Sequence, residues 1–184
     1  VRRERLRPAY GPGELVALYA APYDHRRWVD HIHRVNATIA AGLTLLDGEL
    51  AGTAADLSCG DGTILRALPA QRRIFGDLVS SCDLDLVGPI EATIGEIDPV
   101  DLLVCTETLE HLDDPDGVLQ AIAEKARMLL LSTPVEAWGD DNPEHYWAWD
   151  AEEVEDLLTA AGFTVVDYRP LPLWYRFGIW GCVR

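Results

Sequence analysis

The sequence predicts an α/β protein whose central sheet is mostly parallel and covered by helices on both faces, and three observations carry that expectation. After Gly52, short apolar runs alternate with glycine or acidic residues and then helical stretches. Met128 to Ser132 is an apolar run without alternation, as expected of a strand buried on both faces. Near the end, Phe163 to Tyr168 and Phe177 to Val183 fit a strand pair that closes the sheet.

The elements follow in chain order. Trp28, Ile32, Val35 and Ile39 recur at spacings of four, three and four, which places them on one face of a helix that would cover the core. His31, His33 and Arg34 fall on or near its other face, where a solvated polar surface is expected. Ala54 to Leu57 reads as the first strand of the sheet, Ile64 to Leu68 as a helix stopped by Pro69, and Arg73 to Gly76 as the second strand. Leu84 to Val87 and Leu102 to Cys105 read as the third and fourth. Asp114-Pro115 starts a helix, with Asp as N-cap and Pro at the first helical position, that runs to about Arg127 and leads into the fifth strand at Met128. Asp150 with Glu153 forms a capping-box pattern, and Gly162 suits a helix C-terminus, so residues 151 to 161 read as a helix. The loop from Pro134 to Trp149 is long and rich in tryptophan and acids, and loops of this length in compact domains are often functional. Core packing accounts for some of Trp138, Tyr146, Trp147, Trp149, Trp174, Tyr175 and Trp180; those in the loop would wall a pocket for an aromatic or sugar-like substrate.

At 184 residues and 48% hydrophobic composition, the chain suits one domain, with residues 1–50 as a helical cover and 51–184 as the core. No apolar run approaches the roughly 20 residues of a membrane span, and Val1-Arg2-Arg3-Glu4-Arg5 is followed by no apolar stretch, so a soluble, cytoplasmic protein is expected. Cys59, Cys82, Cys105 and Cys182 form no CxxC pair and read as reduced thiols. The net charge of −16 is unevenly placed: Ile74 to Tyr168 carries 23 acids against Lys125 and Arg127, while residues 1–34 hold seven arginines and four acids. Such a field argues against a broad nucleic-acid footprint and leaves a small molecule as the expected partner.

Asp56-Leu57-Ser58-Cys59-Gly60-Asp61-Gly62 sits where the first strand hands over to a helix, and small residues there let the backbone approach a ligand closely. A tight turn alone would also explain it. Asp77 ends the second strand 21 residues after Asp56, where an acid in a nucleotide-binding α/β fold bonds a ribose diol; a solvated turn residue is the alternative.

These residues resemble the class I methyltransferases that use S-adenosylmethionine, over roughly residues 50–184. The family's acid-x-Gly-x-Gly-x-Gly is matched by Asp56 to Gly62 except that Ser58 replaces the first glycine. Val100 to Leu112 is similar to the family's fourth strand and its Leu-x-His-Leu exit, Leu131 to Pro134 to the end of its fifth strand, and Glu152 to Phe163 to its last helix and turn. The resemblance implies a Rossmann-like, seven-stranded sheet with a closing antiparallel pair. It also implies that Ser58, Gly60 and Gly62 hold the methionine part of the cofactor beside Asp56, and that Asp77 holds the ribose. Ile90 and Glu91, after Gly88-Pro89, would hold the adenine. Only ten residues separate Asp77 from Gly88, too few for the helix that usually joins those strands.

Glu107, Glu110 and His111 have the spacing i, i+3, i+4, so a helix starting there would turn all three to one side at the end of the fourth strand. Three ionisable groups on one turn call for an organising partner, which a divalent cation would supply. Glu107-x-x-Glu110-His111 with Glu144-His145-Tyr146-Trp147-Ala148-Trp149 resembles the metal-dependent terminal 2′-O-methyltransferases of small RNAs, and also ubiquinone-pathway O-methyltransferases, although Ala148 stands where the RNA enzymes have Glu. That resemblance implies Glu107, Glu110, His111 and His145 as ligands of Mg²⁺, Mn²⁺, Fe²⁺ or Zn²⁺. A metal-free site with Glu107 and His111 as acid and base, and a structural role for all four, stand beside it. The functional expectation is O-methylation of a small hydroxylated metabolite; methylation of a terminal ribose in RNA, and cofactor binding without turnover, are the alternatives.

Overall fold

The computed structural model describes residues 2–19, 29–79, 83–173 and 176–184; Trp28, Cys82, Trp174 and Tyr175 lie outside them. A short strand, β1 (Arg3–Arg5), and a helix, α1 (Pro12–Tyr19), precede the long helix α2 (His31–Leu46). The core then alternates β2 (Ala51–Asp56), α3 (Thr63–Ala67), β3 (Ala70–Asp77), β4 (Leu86–Val87), α4 (Ile90–Thr93), β5 (Val100–Thr106), α5 (Pro115–Lys125) and β6 (Ala126–Pro134). It ends with β7 (Trp147–Trp149), α6 (Ala151–Ala160), β8 (Thr164–Pro172) and β9 (Arg176–Val183). The main sheet has seven strands in the order β4-β3-β2-β5-β6-β9-β8. Strands β4 to β6 pair in parallel, and β9 inserts antiparallel between β6 and β8. This is the Rossmann-like sheet with its closing antiparallel pair.

Burial alternates along the central strands as a sheet covered on both sides requires. Leu103, Cys105, Leu129 and Leu131 join Leu119 and Ile122 of α5 and Val154 and Leu158 of α6 in one core. Leu102, Val104 and Leu130 join Ala41 and Leu46 of α2 and Leu65 of α3 in the other. The capping signals are in place: Asp114 accepts from Gly117 N at 3.0 Å and Asp150 from Glu153 N at 2.8 Å. No helix among the described residues is long and apolar enough to cross a membrane.

Two expectations change. Helix α2 does not bury the predicted stripe: Ile32 is 68% exposed, and the buried residues are Thr38, Ala41, Gly42 and Leu46. Small residues decide this, because they let the helix come down onto the sheet; a Cβ on Gly42 would lie 3.0 Å from a methyl of Leu130 on β6 and 2.7 Å from one of Leu68 at the end of α3. The rotation turns Arg34, expected in solvent, inward. Residues 3–5, expected only as part of a helical cover, form an antiparallel pair with β7, Arg3 opposite Trp149 and Arg5 opposite Trp147.

Candidate functional site

The strand order reverses between β2 and β5, and in open parallel sheets the crevice at the C-terminal ends of such a pair is where ligands bind. Two sets of residues line it.

The first set is the glycine turn. Gly60 and Gly62 have φ of 55° and 72°, a region that costs other residues roughly 1–2 kcal/mol. The turn is tied to the end of β3: Cys59 N donates to Gly76 O at 3.0 Å, and Gly60 N to the Asp77 carboxylate at 2.7 Å. Asp77 therefore shapes the turn with one oxygen, a duty its ribose assignment did not include. Asp56 is 2% exposed and accepts from Ser58 N at 3.1 Å; burial, reinforced by Asp77, pushes its carboxyl up to about 7. Ser58, the departure from the glycine pattern, has its hydroxyl 2.7 Å from that of Thr108. Because Thr108 already donates its single hydroxyl hydrogen to Thr106 O, Ser58 is the donor in this pair. On the adenine side, Glu91 is exposed on α4, whereas Ile90 is only 4% exposed and belongs to the core with Leu57 and Ile94. An apolar side chain on that short helix gains more from the core than from an open groove.

The second set follows β5, and its geometry corrects the expected helix. Glu107 adopts φ 53°, and its N–H continues the sheet by donating to Ser132 O at 2.9 Å. Thr108 then turns the chain, and only a single 3₁₀ turn, Leu109–His111, follows, so Glu107, Glu110 and His111 do not share a helical face. A non-glycine residue held at positive φ is a strained position of the kind found at functional sites. The Glu107 carboxylate accepts from Ser132 Oγ at 2.8 Å and from Arg34 at 2.7 Å, while the Arg34 guanidinium rests 4.7 Å over the Phe177 ring. Burial raises the Glu107 carboxyl against the opposing pull of Arg34 and Ser132.

Glu110 is 1% exposed; Thr133 donates to one of its oxygens at 2.9 Å, and the other, Oε1, is buried without a hydrogen-bond partner. Burial, with Glu107 nearby, pushes its carboxyl up to about 8. His111 Nε2 lies 3.9 Å from that free oxygen, and His111 Nδ1 is also buried and unpartnered. Burial and the neighbouring His145 push the His111 imidazole down to about 3, so it is neutral. His145 arrives from the long loop, its ring 4.8 Å from that of His111 and at 81° to it. Glu110, His111 and His145 each bring a ligand atom within 4.8 Å of the others'. Glu107 is not in that group; Arg34 and Ser132 each donate to one of its oxygens. Buried polar atoms without partners cost roughly 1–3 kcal/mol each, so the free Glu110 oxygen suits a ligand. One carboxylate and two imidazoles suit Zn²⁺, Mn²⁺ or Fe²⁺, with coordination positions left open.

The expected aromatic walls are mostly structural. Tyr146, Trp149 and Trp180 are buried, Trp149 donates to Pro134 O at 3.0 Å, and Trp180 stacks on Tyr168. Trp147 donates to Leu112 O at 2.9 Å and is covered by the guanidinium groups of Arg3 and Arg5; like Trp138, it is partly buried. The sequence reading missed Arg34 and Asp140. The small residues Ala37, Ala41 and Gly42 mark the buried face that carries Arg34; Asp140 and His145 pair locally, five residues apart in one loop, through a turn at Asn142 that leaves no periodic signal.

The profile of a methyltransferase domain family matches residues 23–168. No curated protein sequence matches the chain. Among solved structures, the chain is similar to the N-methyltransferase NodS from Bradyrhizobium japonicum WM9 in complex with S-adenosylhomocysteine, at 14% identity, TM-score 0.74, over 95% of this chain and 99% of that one. It is similar to magnesium protoporphyrin IX methyltransferase from Synechocystis PCC 6803 with bound S-adenosylmethionine, at 15% identity, TM-score 0.68, over 97% and 99%. A third is the Burkholderia thailandensis 1,6-didemethyltoxoflavin-N1-methyltransferase, at 19% identity, TM-score 0.65, over 99% and 94%.

Proposed function

The chain belongs to the methyltransferase domain family, and from that premise we propose that it moves the methyl group of S-adenosylmethionine to a hydroxyl of a small metabolite. The observation that carries this reading is the hydrogen bond from Ser58 to Thr108, which fastens the glycine turn of β2 directly to the acid-rich stretch after β5. A donor sulfonium lying on one and an acceptor oxygen held by the other would meet at the switch point of the sheet.

On this reading residues 1–184 act as one unit, with residues 1–50 covering the cleft. Backbone at Ser58, Gly60 and Gly62 holds the methionine part of the cofactor, the second oxygen of Asp77 takes a ribose hydroxyl, and Glu91 takes the adenine amino group, with Ile90 backing that wall from the core. In the transfer an O–CH₃ bond forms as the S–CH₃ bond breaks. The electron pair stays on sulfur, giving S-adenosylhomocysteine, and the acceptor's proton passes to Glu107. Alignment of oxygen, methyl carbon and sulfur supplies most of the acceleration, and the carboxylate adds the proton transfer. Arg34 and Ser132 hold that carboxylate in place. His111, being neutral, serves as a hydrogen-bonding or ligating group rather than a proton store. Glu110, His111 and His145 would hold a divalent cation, which when bound would lower the pKa of the acceptor hydroxyl.

Incubation with methyl-labelled S-adenosylmethionine and separate pools of hydroxylated metabolites, amines and RNA tests the acceptor class. The label is expected in a methyl ether from the hydroxylated pool. Label in amines alone, or in RNA alone, contradicts O-methylation of a small metabolite while leaving methyl transfer standing.

A further inference from the structure

The loop between β6 and β7 carries a carboxylate that neither the glycine turn nor the acid-rich stretch uses. The Asp140 side chain is 2% exposed, and Oδ2 lies 2.6 Å from His145 Nδ1. Its other oxygen accepts from Asn142 N at 2.8 Å, its own N–H donates to Ala137 O at 3.1 Å, and Arg7, from the segment after β1, donates to its carbonyl oxygen. His145 is held in turn, its N–H donating to Asn142 O at 3.1 Å, and Tyr146 N donates to Glu110 O at 2.7 Å. A buried carboxylate fixed from three sides presents a fixed acceptor, and a neutral imidazole facing such an acceptor keeps its proton on the nitrogen nearest to it. In the neutral ring the proton then sits on Nδ1, and Nε2 keeps its lone pair free. Carboxylates play this part behind many ligating histidines, where they set ring orientation and tautomer.

We propose that Asp140 is a positioning residue of the site: it fixes the ring and tautomer of His145 so that Nε2 is offered to Glu110 and His111 and to a cation seated among them. The cation part rests on the reading of those three residues given above; the positioning part does not. Glu110, His111 and His145 each bring a ligand atom within 4.8 Å of the others', and the His111 ring stands edge-on to that of His145.

Two measurements test this. Nitrogen-15 NMR of the histidine side chains, on metal-free protein at alkaline pH where the rings are neutral, reads the tautomer of His145. Titration with Co²⁺, followed by absorption, reads cation affinity, and calorimetry with S-adenosylhomocysteine reports that each variant is folded. The unaltered protein is expected to carry the His145 proton on Nδ1. Asp140→Ala is expected to release that preference and weaken Co²⁺ binding about 10- to 100-fold, with S-adenosylhomocysteine binding unchanged. Asp140→Asn, whose amide oxygen still accepts from Nδ1–H, is expected to restore the tautomer and most of the affinity. A proton on Nε2 in the unaltered protein overturns the proposal without any variant, as does an Asp140→Ala protein with both readouts unchanged. A tautomer that follows Asp140 in a protein that takes up no Co²⁺ supports the positioning role and contradicts the cation reading alone.

Discussion

The two halves of the cleft are built on opposite principles. The glycine turn, residues 58–62, is made of backbone and is already well bonded: Asp56, Gly76 and Asp77 accept from three of its N–H groups, and Ser58 is joined to Thr108. The facing half is made of side chains, and they are left wanting: Glu110 Oε1, His111 Nδ1 and Arg34 Nε are buried without hydrogen-bond partners. A preformed backbone cradle suits a cofactor whose shape does not vary. Buried, incompletely paired titratable groups suit chemistry, because they are the groups whose proton affinity and ligation change when something enters.

The contrast can be broken or sharpened in the two halves separately. On the side-chain half, Glu107→Gln is expected to lower kcat by about 100-fold or more, the worth of a general base, and to leave S-adenosylhomocysteine affinity unchanged; steady-state kinetics beside calorimetry read both. An equal loss in the two would mean that Glu107 supports the cofactor rather than the acceptor. On the backbone half, Asp56→Asn separates structure from titration. Burial raises Asp56 from its ordinary value of 3.8 to about 7, so its folded form favours the proton more than its unfolded form does. That contribution is fully present below pH 4, is lost as pH rises to 7, and is constant above. At about 1.4 kcal/mol per pH unit, the wild type is expected to lose a few kcal/mol relative to Asp56→Asn between pH 4 and pH 7. Parallel stability curves in urea across that range would show that Asp56 does not titrate as a buried acid.

The same division explains what could be read in advance. The turn is local, its residues lie within seven positions, and glycine at positive φ leaves a mark in the sequence, so Asp56 to Gly62 and the strand-to-helix alternation were legible. The caps at Asp114 and Asp150 were legible for the same reason. The spacing of Glu107, Glu110 and His111 suggested a helix face; the hydrogen bond from Glu107 N to Ser132 O prevented it, and that bond depends on a strand 25 residues away. Arg34 was assigned to solvent because apolar periodicity pointed to Ile32, whereas close approach at Gly42 rotated the helix. The pairing of β1 with β7 joins segments over 140 residues apart, and its strands are too short to leave a periodic signal.

The measurement that bears most directly on the account is calorimetry of S-adenosylhomocysteine binding to the unaltered chain and to Asp77→Ala. Binding of one molecule per chain is expected. The substitution removes both the acceptor for Gly60 N and the one proposed for the ribose, and is expected to weaken binding by about 1–2 kcal/mol. Absence of any binding by the unaltered chain would contradict the assignment of the cleft to a methyl donor, and affinity unchanged in Asp77→Ala would move the ribose contact away from the end of β3.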